Sequence, residues 1–537
     1  MALLRSSLIV GGNTLLSRAL GFVRDILIAR ALGTTGIVEA FVVAFRFPNL
    51  FRRLVAEGAF SAAFVPMFAK KLEKEGKPAA LAFAGNTLSW LLLILIVFTV
   101  VVEIFMEAAV SVMAPGFRDN PALFDAAVLF TRLTLPYLVA MTIVALMSGV
   151  LNVNYKFAMA AAAPTLLNAI MILGLVFAVP WFKTAGHMLA WAVAIAGIAQ
   201  YLWLGYACWK AGLRISLPVP HFTAATRRLL KLMVPGIVGG GMTQINLLVG
   251  TIIASFITGA VSILYFADRV YQFPLGMIGI AIGTALLPEL SRKIHSEPVA
   301  AMAVQNRAIE LSMLLTLPAA TALVAVAESI CLVMFQYGRF TPADAHNTAV
   351  ALAAFSVGLP AYVLIRVFAP GFYAREDTRS PVIYSIASMA TNIVLSVILV
   401  WPPFGLWPGL GFLGIAVATA VAAWVNAGLL GIMLARRGHW KLDARIKARM
   451  PRIMLAALLM AVVLVPLAMA LAPWIRGAVW ERVLGMGLLV AAGMFVYGAL
   501  CLLFKAADLG ELRRLLQRRR GGKKGEDKAA PPPPSFD

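Results

Sequence analysis

The sequence predicts an all-α polytopic membrane protein of fourteen transmembrane helices: two six-helix lobes related by a pseudo-twofold along the membrane normal, plus an appended helix pair. Three observations predict it. Of 537 residues, 61% are hydrophobic and only 13% charged, with a mean hydropathy of +0.89, more apolar sequence than a soluble core of this length absorbs. The apolar residues come in runs close to the ~20 residues a helix needs to cross ~30 Å of hydrocarbon. Sequence landmarks also recur at a nearly constant offset, the signature of an internal repeat.

The spans are centred near Leu20, Leu50, Leu95, Val139, Ile170, Ala199, Val249, Ile278, Leu315, Val363, Leu395, Val421, Met460 and Met486. The first is read as a retained helix, because Arg18 interrupts the opening apolar run and no small-residue cleavage site follows. With the N-terminus cytoplasmic, the inside segments hold most of the basic residues, including Lys70 to Lys77, Lys210 to Lys231 and the stretch from Arg436 to Arg452. Outside loops hold only Arg118, Lys183, Arg339, Arg476 and Arg482. That bias puts both termini of a multi-pass membrane protein in the cytoplasm. The formal charge of +22 is therefore mostly topological, and no nucleic-acid partner is expected.

Four landmarks carry the repeat. Phe47-Pro48 matches Phe273-Pro274, Pro66 to Lys71 resembles Pro288 to Lys293, Leu135-Pro136 matches Leu359-Pro360, and Asn168 matches Asn392, all about 224 residues apart. An even number of spans per copy makes both copies enter from the same side, the plan of a two-lobed transporter. The N-terminal lobe takes residues 1–215, the C-terminal lobe 216–440 and the appended pair 441–505, leaving 506–537 as a disordered basic tail. Proline inside spans two, four, eight and ten breaks both lobes at equivalent depths, which is tolerated where freed carbonyls face protein or a wet cavity. A central site opened alternately to each side by rocking is the economical inference.

Every basic residue within the predicted spans is an arginine: Arg18, Arg24, Arg30, Arg46, Arg52, Arg53, Arg132, Arg269 and Arg366. A guanidinium in hydrocarbon costs roughly 2.5–3.5 kcal/mol near a helix centre, so these groups are expected to line a hydrated cavity. A planar fork that keeps its proton suits a phosphate or carboxylate, and the chain reads as a transporter of something anionic. On an ideal helix Arg18 and Asp25 share a face, a candidate structural pair, whereas Arg24 has no equally clean same-face partner; a bend at Gly21 would bring both arginines to one cavity. Arg53 and Glu57 are spaced as a pair, leaving Arg52 as the better ligand candidate. Glu39 is the acid that could gate the site or pair with an arginine, and Arg269 lets the second lobe contribute charge. Arg30 is close enough to the outer boundary to act as an interfacial anchor.

Catalysis finds little support. His187, His221, His295, His346 and His439 are scattered without a metal-binding spacing, and Cys208, Cys331 and Cys501 form no pair in sequence. Neither a phosphate-binding GxxxxGK[ST] loop nor a GxSxG turn occurs. The expectation is a transporter rather than an enzyme, with no cofactor or metal, driven by a gradient or the membrane potential. Rival readings are a multidrug or other polyprenyl-linked oligosaccharide transporter and, less favoured, an intramembrane glycosyltransferase. Cationic drugs call for carboxylates, and the outer-loop acids Asp119, Asp125 and Asp344 have no catalytic spacing.

Ser17 to Asp25, Asn49 to Arg53, Glu57 to Ser61, Ala267 to Arg269, Gln336 to Thr341 and Ala369 to Arg375 together resemble the MurJ, or MviN, family of lipid II flippases. That family sits within the multidrug/oligosaccharidyl-lipid/polysaccharide exporter superfamily. The resemblance implies movement of undecaprenyl-pyrophosphate-linked peptidoglycan precursor from the cytoplasmic to the periplasmic leaflet, in cell wall biogenesis. It implies a V of two lobes around a cationic cavity, a groove for the lipid tail on spans thirteen and fourteen, and a monomeric transport unit in contact with membrane lipids. It carries cavity roles onto Arg18, Arg24, Arg52 and Arg269, and charge-pairing or gating roles onto Asp25, Glu39 and Glu57. One departure is Gln272, where the resemblance implies a glutamate, so a mechanism resting on that carboxylate does not carry over. For sodium, which some relatives bind, Asp377, Thr391 and Asn392 are the candidates here.

Overall fold

The computed structural model describes residues 2–53, 60–294, 297–403 and 408–506, and among these it is helical with no strand. The predicted tail, beyond Ala506, lies outside the described residues. The first half runs through α1 (Ala2–Leu32), α2 (Gly36–Phe51), α3 (Ser61–Ile104), α4 (Met106–Met113), α5 (Pro121–Thr134), α6 (Tyr137–Val153), α7 (Phe157–Leu173) and α8 (Ala185–Lys210). The second half runs through α9 (Ala224–Ser255), α10 (Ala260–Lys293), α11 (Pro298–Ala325), α12 (Ala327–Phe335), α13 (Pro342–Val357), α14 (Leu359–Tyr373), α15 (Arg379–Val400) and α16 (Phe412–Arg436). The chain ends in α17 (Ala444–Ala470), α18 (Ala472–Arg476) and α19 (Val479–Leu503).

Local chemistry sets the helix starts. Thr184, Thr223 and Asp443 precede α8, α9 and α17, and each side chain accepts a hydrogen bond from the backbone N–H three residues on. Thr341 and Asp344 form a reciprocal capping box on α13. The predicted proline breaks appear as two forms. Pro48 and Pro274 stay inside α2 and α10, whereas Pro136 separates α5 from α6 and Pro360 opens α14 directly after α13.

Helix packing repeats with the same eight-element step. The pairs α1·α7, α2·α5, α3·α6, α4·α5, α6·α8 and α7·α8 recur as α9·α15, α10·α13, α11·α14, α12·α13, α14·α16 and α15·α16. Individual bonds recur as well: Asn168 on α7 donates to the Ser17 carbonyl of α1 at 2.9 Å, and Asn392 on α15 donates to Asn246 of α9 at 2.8 Å.

Ten helical stretches among the described residues are long and apolar enough to cross a membrane, with α5–α6 and α13–α14 each counted as one. Four further helices, α1, α2, α9 and α10, are not among these stretches, and α2 is only 16 residues long. Three of them carry the charges read from the sequence: Arg18, Arg24, Asp25 and Arg30 on α1, Glu39 and Arg46 on α2, and Asp268 and Arg269 on α10. Helices of this polarity are stable in a bilayer when their charged faces meet one another rather than lipid, and α10 does pack against both α1 and α2.

The appended pair is tied to α11 by a buried carboxylate. Glu310 is 5% exposed and accepts from Arg307 at 2.9 Å, Arg445 at 2.9 and 3.2 Å, and Arg449 at 2.5 Å. Removing that acceptor takes a shared buried partner from three guanidiniums at once, a loss of about 3–5 kcal/mol for a broken buried pair. Glu310→Ala is expected to lower the unfolding midpoint in detergent well below that of Glu75→Ala, which breaks the exposed Lys71–Glu75 contact; equal midpoints would refute the clamp.

Candidate functional site: an arginine cluster between α1, α2 and α10

The centre is Asp25, 3% exposed. Arg24 places Nε and Nη2 on its Oδ1 at 3.0 and 2.8 Å, and donates from Nη1 to Asn168 at 2.8 Å. Tyr265 of α10 donates its hydroxyl to the same Asp25 oxygen at 2.9 Å. Arg269, one turn further along α10, lies with Nε 3.5 Å from Asp25 Oδ2 and its guanidinium 4.7 Å from the Tyr265 ring centre. Its buried Nε makes no hydrogen bond. One carboxylate thus sits between guanidiniums from two distant parts of the chain, and the group retains positive charge.

This geometry corrects the helical-wheel reading. Asp25 pairs with Arg24, its chain neighbour, and not with Arg18, because the long guanidinium arm folds back along the helix. Gly21 does not interrupt α1, which is continuous from Ala2 to Leu32; a Cβ there would lie 3.6 Å from the Asn168 amide, so its small size admits that side chain. Arg18 is exposed and reaches across to α10, where a Cβ on Gly276 would sit 2.6 Å from its Nη1. Arg366 of α14 is near enough to feel the Arg18 charge.

On α2, Arg46 bonds Thr251 of α9 and lies within electrostatic reach of Asp268, Arg269 and Arg53. Asp268 accepts from Gln272, so the neutral residue at the departure position acts as a donor to an acid. Arg52 bonds Asn49 at 2.9 Å, and Arg53 is exposed. Glu57, its predicted partner, lies outside the described residues. Arg132 lies instead near Glu103.

Glu39 is not paired with an arginine. It is 1% exposed and accepts from the N–H groups of Gly259 and Val261 at 3.2 and 3.0 Å, capping the start of α10 where the helix dipole favours a negative charge. Around it the α1–α2 turn interlocks with the α12–α13 turn. Arg339 N–H donates to the Arg30 carbonyl at 3.0 Å, and Thr34 bonds Asp344. Gly33 (φ 62°) and Gly338 (φ 60°) both occupy the left-handed region, and a Cβ on either would lie 2.5 or 2.4 Å from the opposing carbonyl oxygen. The cluster is therefore closed at the end of α1 that follows Arg24.

The sodium candidates are not brought together. Asp377 precedes α15 and is engaged by Ser380 and by Arg437 at 2.6 Å. Asn392 lies more than three turns along the helix, about 20 Å away at 1.5 Å per residue, bonded to Asn246 and Ser396. No group of three or more His, Cys, Asp or Glu residues is placed to hold a metal among the described residues. Of the functional contacts, Tyr265 was missed by sequence reasoning; its position four residues before Arg269 places both on one face and was the available signal.

A family model described as lipid II flippase MurJ matches residues 28–485. The chain belongs to the MurJ lipid II flippase family. Relatives named as probable lipid II flippase MurJ include one from Rhizobium meliloti, 42% identical with 96% of each chain covered, and one from Rickettsia prowazekii, 36% identical with 86% of this chain and 90% of that one covered. Among solved structures, lipid II flippase MurJ in an inward closed conformation superposes with a TM-score of 0.76 at 23% identity, covering 93% of this chain and 98% of the other. An inward-facing multidrug resistance transporter of the MATE family matches at 0.65 with 15% identity, covering 79% and 94%. These two likenesses concern the fold; MurJ membership rests on the sequence.

Two outcomes follow for this MurJ-family chain. Glu39→Ala removes the acceptor for two buried N–H groups, and a cysteine at Ser262, otherwise buried, should then react several-fold faster with a membrane-impermeant thiol reagent; an unchanged rate refutes the latch. Partial burial pushes the Asp377 carboxyl up, but hydrogen bonds from Ser380 and Arg437 and the Arg437 charge outweigh it and hold the group down to about 2. Its folded value is below the ordinary value of about 3.9, so the stabilisation is complete above that and fades as pH falls through about 2. Carboxyl NMR titration should find that midpoint, and one near 4 would refute the contact.

Proposed function

We propose that this chain carries lipid II, the undecaprenyl-pyrophosphate-linked peptidoglycan precursor, from the cytoplasmic to the periplasmic leaflet by alternating access. The supporting observation is the charge imbalance of the central cluster. Arg18, Arg24, Arg46, Arg269 and Arg366 stand against Asp25 and Asp268 among the described residues. A pyrophosphate presents oxygens to several guanidinium forks at once, and exclusion of water strengthens each charge-assisted bond. The Arg269 N–H without a hydrogen bond is ready for such an oxygen. A cationic drug would meet repulsion here, which disfavours the multidrug reading.

The chain acts as a transporter in the inner membrane, with both termini cytoplasmic by the distribution of its basic loops. Fourteen spans in two six-helix lobes suit the recurrence of helix pairs at an eight-element step. Arg18, exposed midway along α1, meets the headgroup first; Arg24 and Arg269 sit deeper, and the Glu39 latch closes the far side. Substrate entry pulls Arg24 or Arg269 from Asp25 onto phosphate, weakening the hold on α10 and favouring rocking. The appended pair, residues 441–505, lies beside the C-terminal lobe as a support for the lipid tail, and one chain suffices as the transport unit.

In cells depleted of the protein, Arg18→Ala, Arg24→Ala, Arg52→Ala and Arg269→Ala should each fail to restore periplasmic exposure of lipid II, measured by leaflet-resolved labelling with matched expression. Full restoration by all four would overturn the assignment.

A further inference from the structure

A second feature lies outside the arginine cluster, on the seam between α11, α14, α16 and α17. It is an apolar groove of about 440 Å³ whose walls include Ile309 and Met313 of α11, Leu364 and Phe368 of α14, and Ile446 and Met450 of α17. That volume lies within the range of small-molecule sites. Trp424 and Trp440 also line it. Their indole N–H groups are already satisfied, by the Val357 carbonyl at 3.0 Å and by Asn306 at 2.7 Å, so the rings are fixed as walls; Phe368 stands edge-on to Trp440 at 5.1 Å. No α19 residue lines the groove, and α19 meets α11 elsewhere, through the Tyr497 bond to the Leu314 carbonyl. Leu442, Met454 and Trp424 are exposed along its edge. The groove therefore opens outward, away from the transport cavity.

The rim is cationic. Lys447 is the one charged lining residue, it is exposed, and no carboxylate pairs with it among the described residues. Arg445, Arg449 and Arg452 stand on adjoining turns of α17. Nearby, Glu310 serves Arg307, Arg445 and Arg449 together, and the Asp443 side chain accepts from the Ile446 N–H. Lys447 itself thus places positive charge at the mouth. From Lys447 to Met454, α17 rises about 10 Å, so a headgroup at the lysine sends a chain along the groove.

We propose that this groove binds an anionic phospholipid, its phosphate at Lys447 and one acyl chain in the slot, joining the appended pair to the α11–α16 body. The charge of the rim selects the headgroup, and the fixed aromatic walls select hydrocarbon. The site is separate from the central cluster and takes a lipid that stays rather than one that is carried.

The test is native mass spectrometry of the full chain in detergent with added phosphatidylglycerol or phosphatidylcholine of identical acyl chains. The wild type should retain phosphatidylglycerol at about tenfold lower concentration, the effect of one or two surface charges. Lys447→Glu should abolish that preference, and Leu364→Trp, filling the slot, should reduce retention of both lipids. If Leu364→Trp does not yield monodisperse protein, Met454→Trp at the exposed edge serves the same purpose. Equal retention of the two lipids by wild type, or a preference that survives both Lys447→Glu and slot filling, would overturn the proposal. So would loss of phosphatidylglycerol retention in Arg269→Ala, which would move the binding to the central cluster.

Discussion

The arrangement depends on Asp25 being shared. A single carboxylate at 3% exposure receives Arg24 from its own helix, and Tyr265 and Arg269 from α10. Two guanidiniums brought this close in a medium of low polarity repel strongly unless a negative charge lies between them. Asp25 supplies it, and in doing so holds α1 against α10 without cancelling the net positive charge. A fully neutralised pair would be structural only; an uncompensated pair would push the helices apart. One acid for two bases keeps the helices together and leaves an anion something to bind.

The rest of the fold serves that contact. The charged helices α1, α2 and α10 are tolerable in a bilayer because α10 turns towards α1 and α2. Buried amides steady the cluster from behind. Asn168 fixes α7 to α1 while orienting Arg24, and Asn392 does the corresponding work between α15 and α9 without an arginine to hold. The repeat thus preserved a helix-to-helix bond in both halves and placed the charge on only one copy of it.

Much of this was legible in the chain. Arginine without lysine in apolar runs marked Arg24 and Arg269, which meet at Asp25, and the Leu-Pro pairs at 135–136 and 359–360 fall where α5 meets α6 and α13 meets α14. The pairing within the cluster was less legible. Helical spacing favours partners three or four residues apart, yet Arg24 and Asp25 are neighbours, and a three-carbon arm bridges an angle that the wheel forbids. Glu39 was harder still. Its partners are backbone N–H groups of Gly259 and Val261, and no side-chain pattern marks a helix start more than two hundred residues away as the acceptor's target.

That last contact also bears on how the closed end reopens in the proposed transport cycle. The latch uses carbonyls, N–H groups, a carboxylate on a helix terminus and two glycines that let turns touch, rather than buried ion pairs across the seam. Each such bond contributes only about 0.5–1.5 kcal/mol net, since water can replace either partner once the seam parts. A handful of them closes the seam firmly but within a few kcal/mol, the range over which a bound anion's differential contacts can shift a population. A gate of desolvated ion pairs would be far costlier to split. The strong charges are instead kept at the Asp25 cluster; in the transport cycle proposed above a phosphate replaces the carboxylate as their partner, exchanging one ion pair for another while the weak latch gives way.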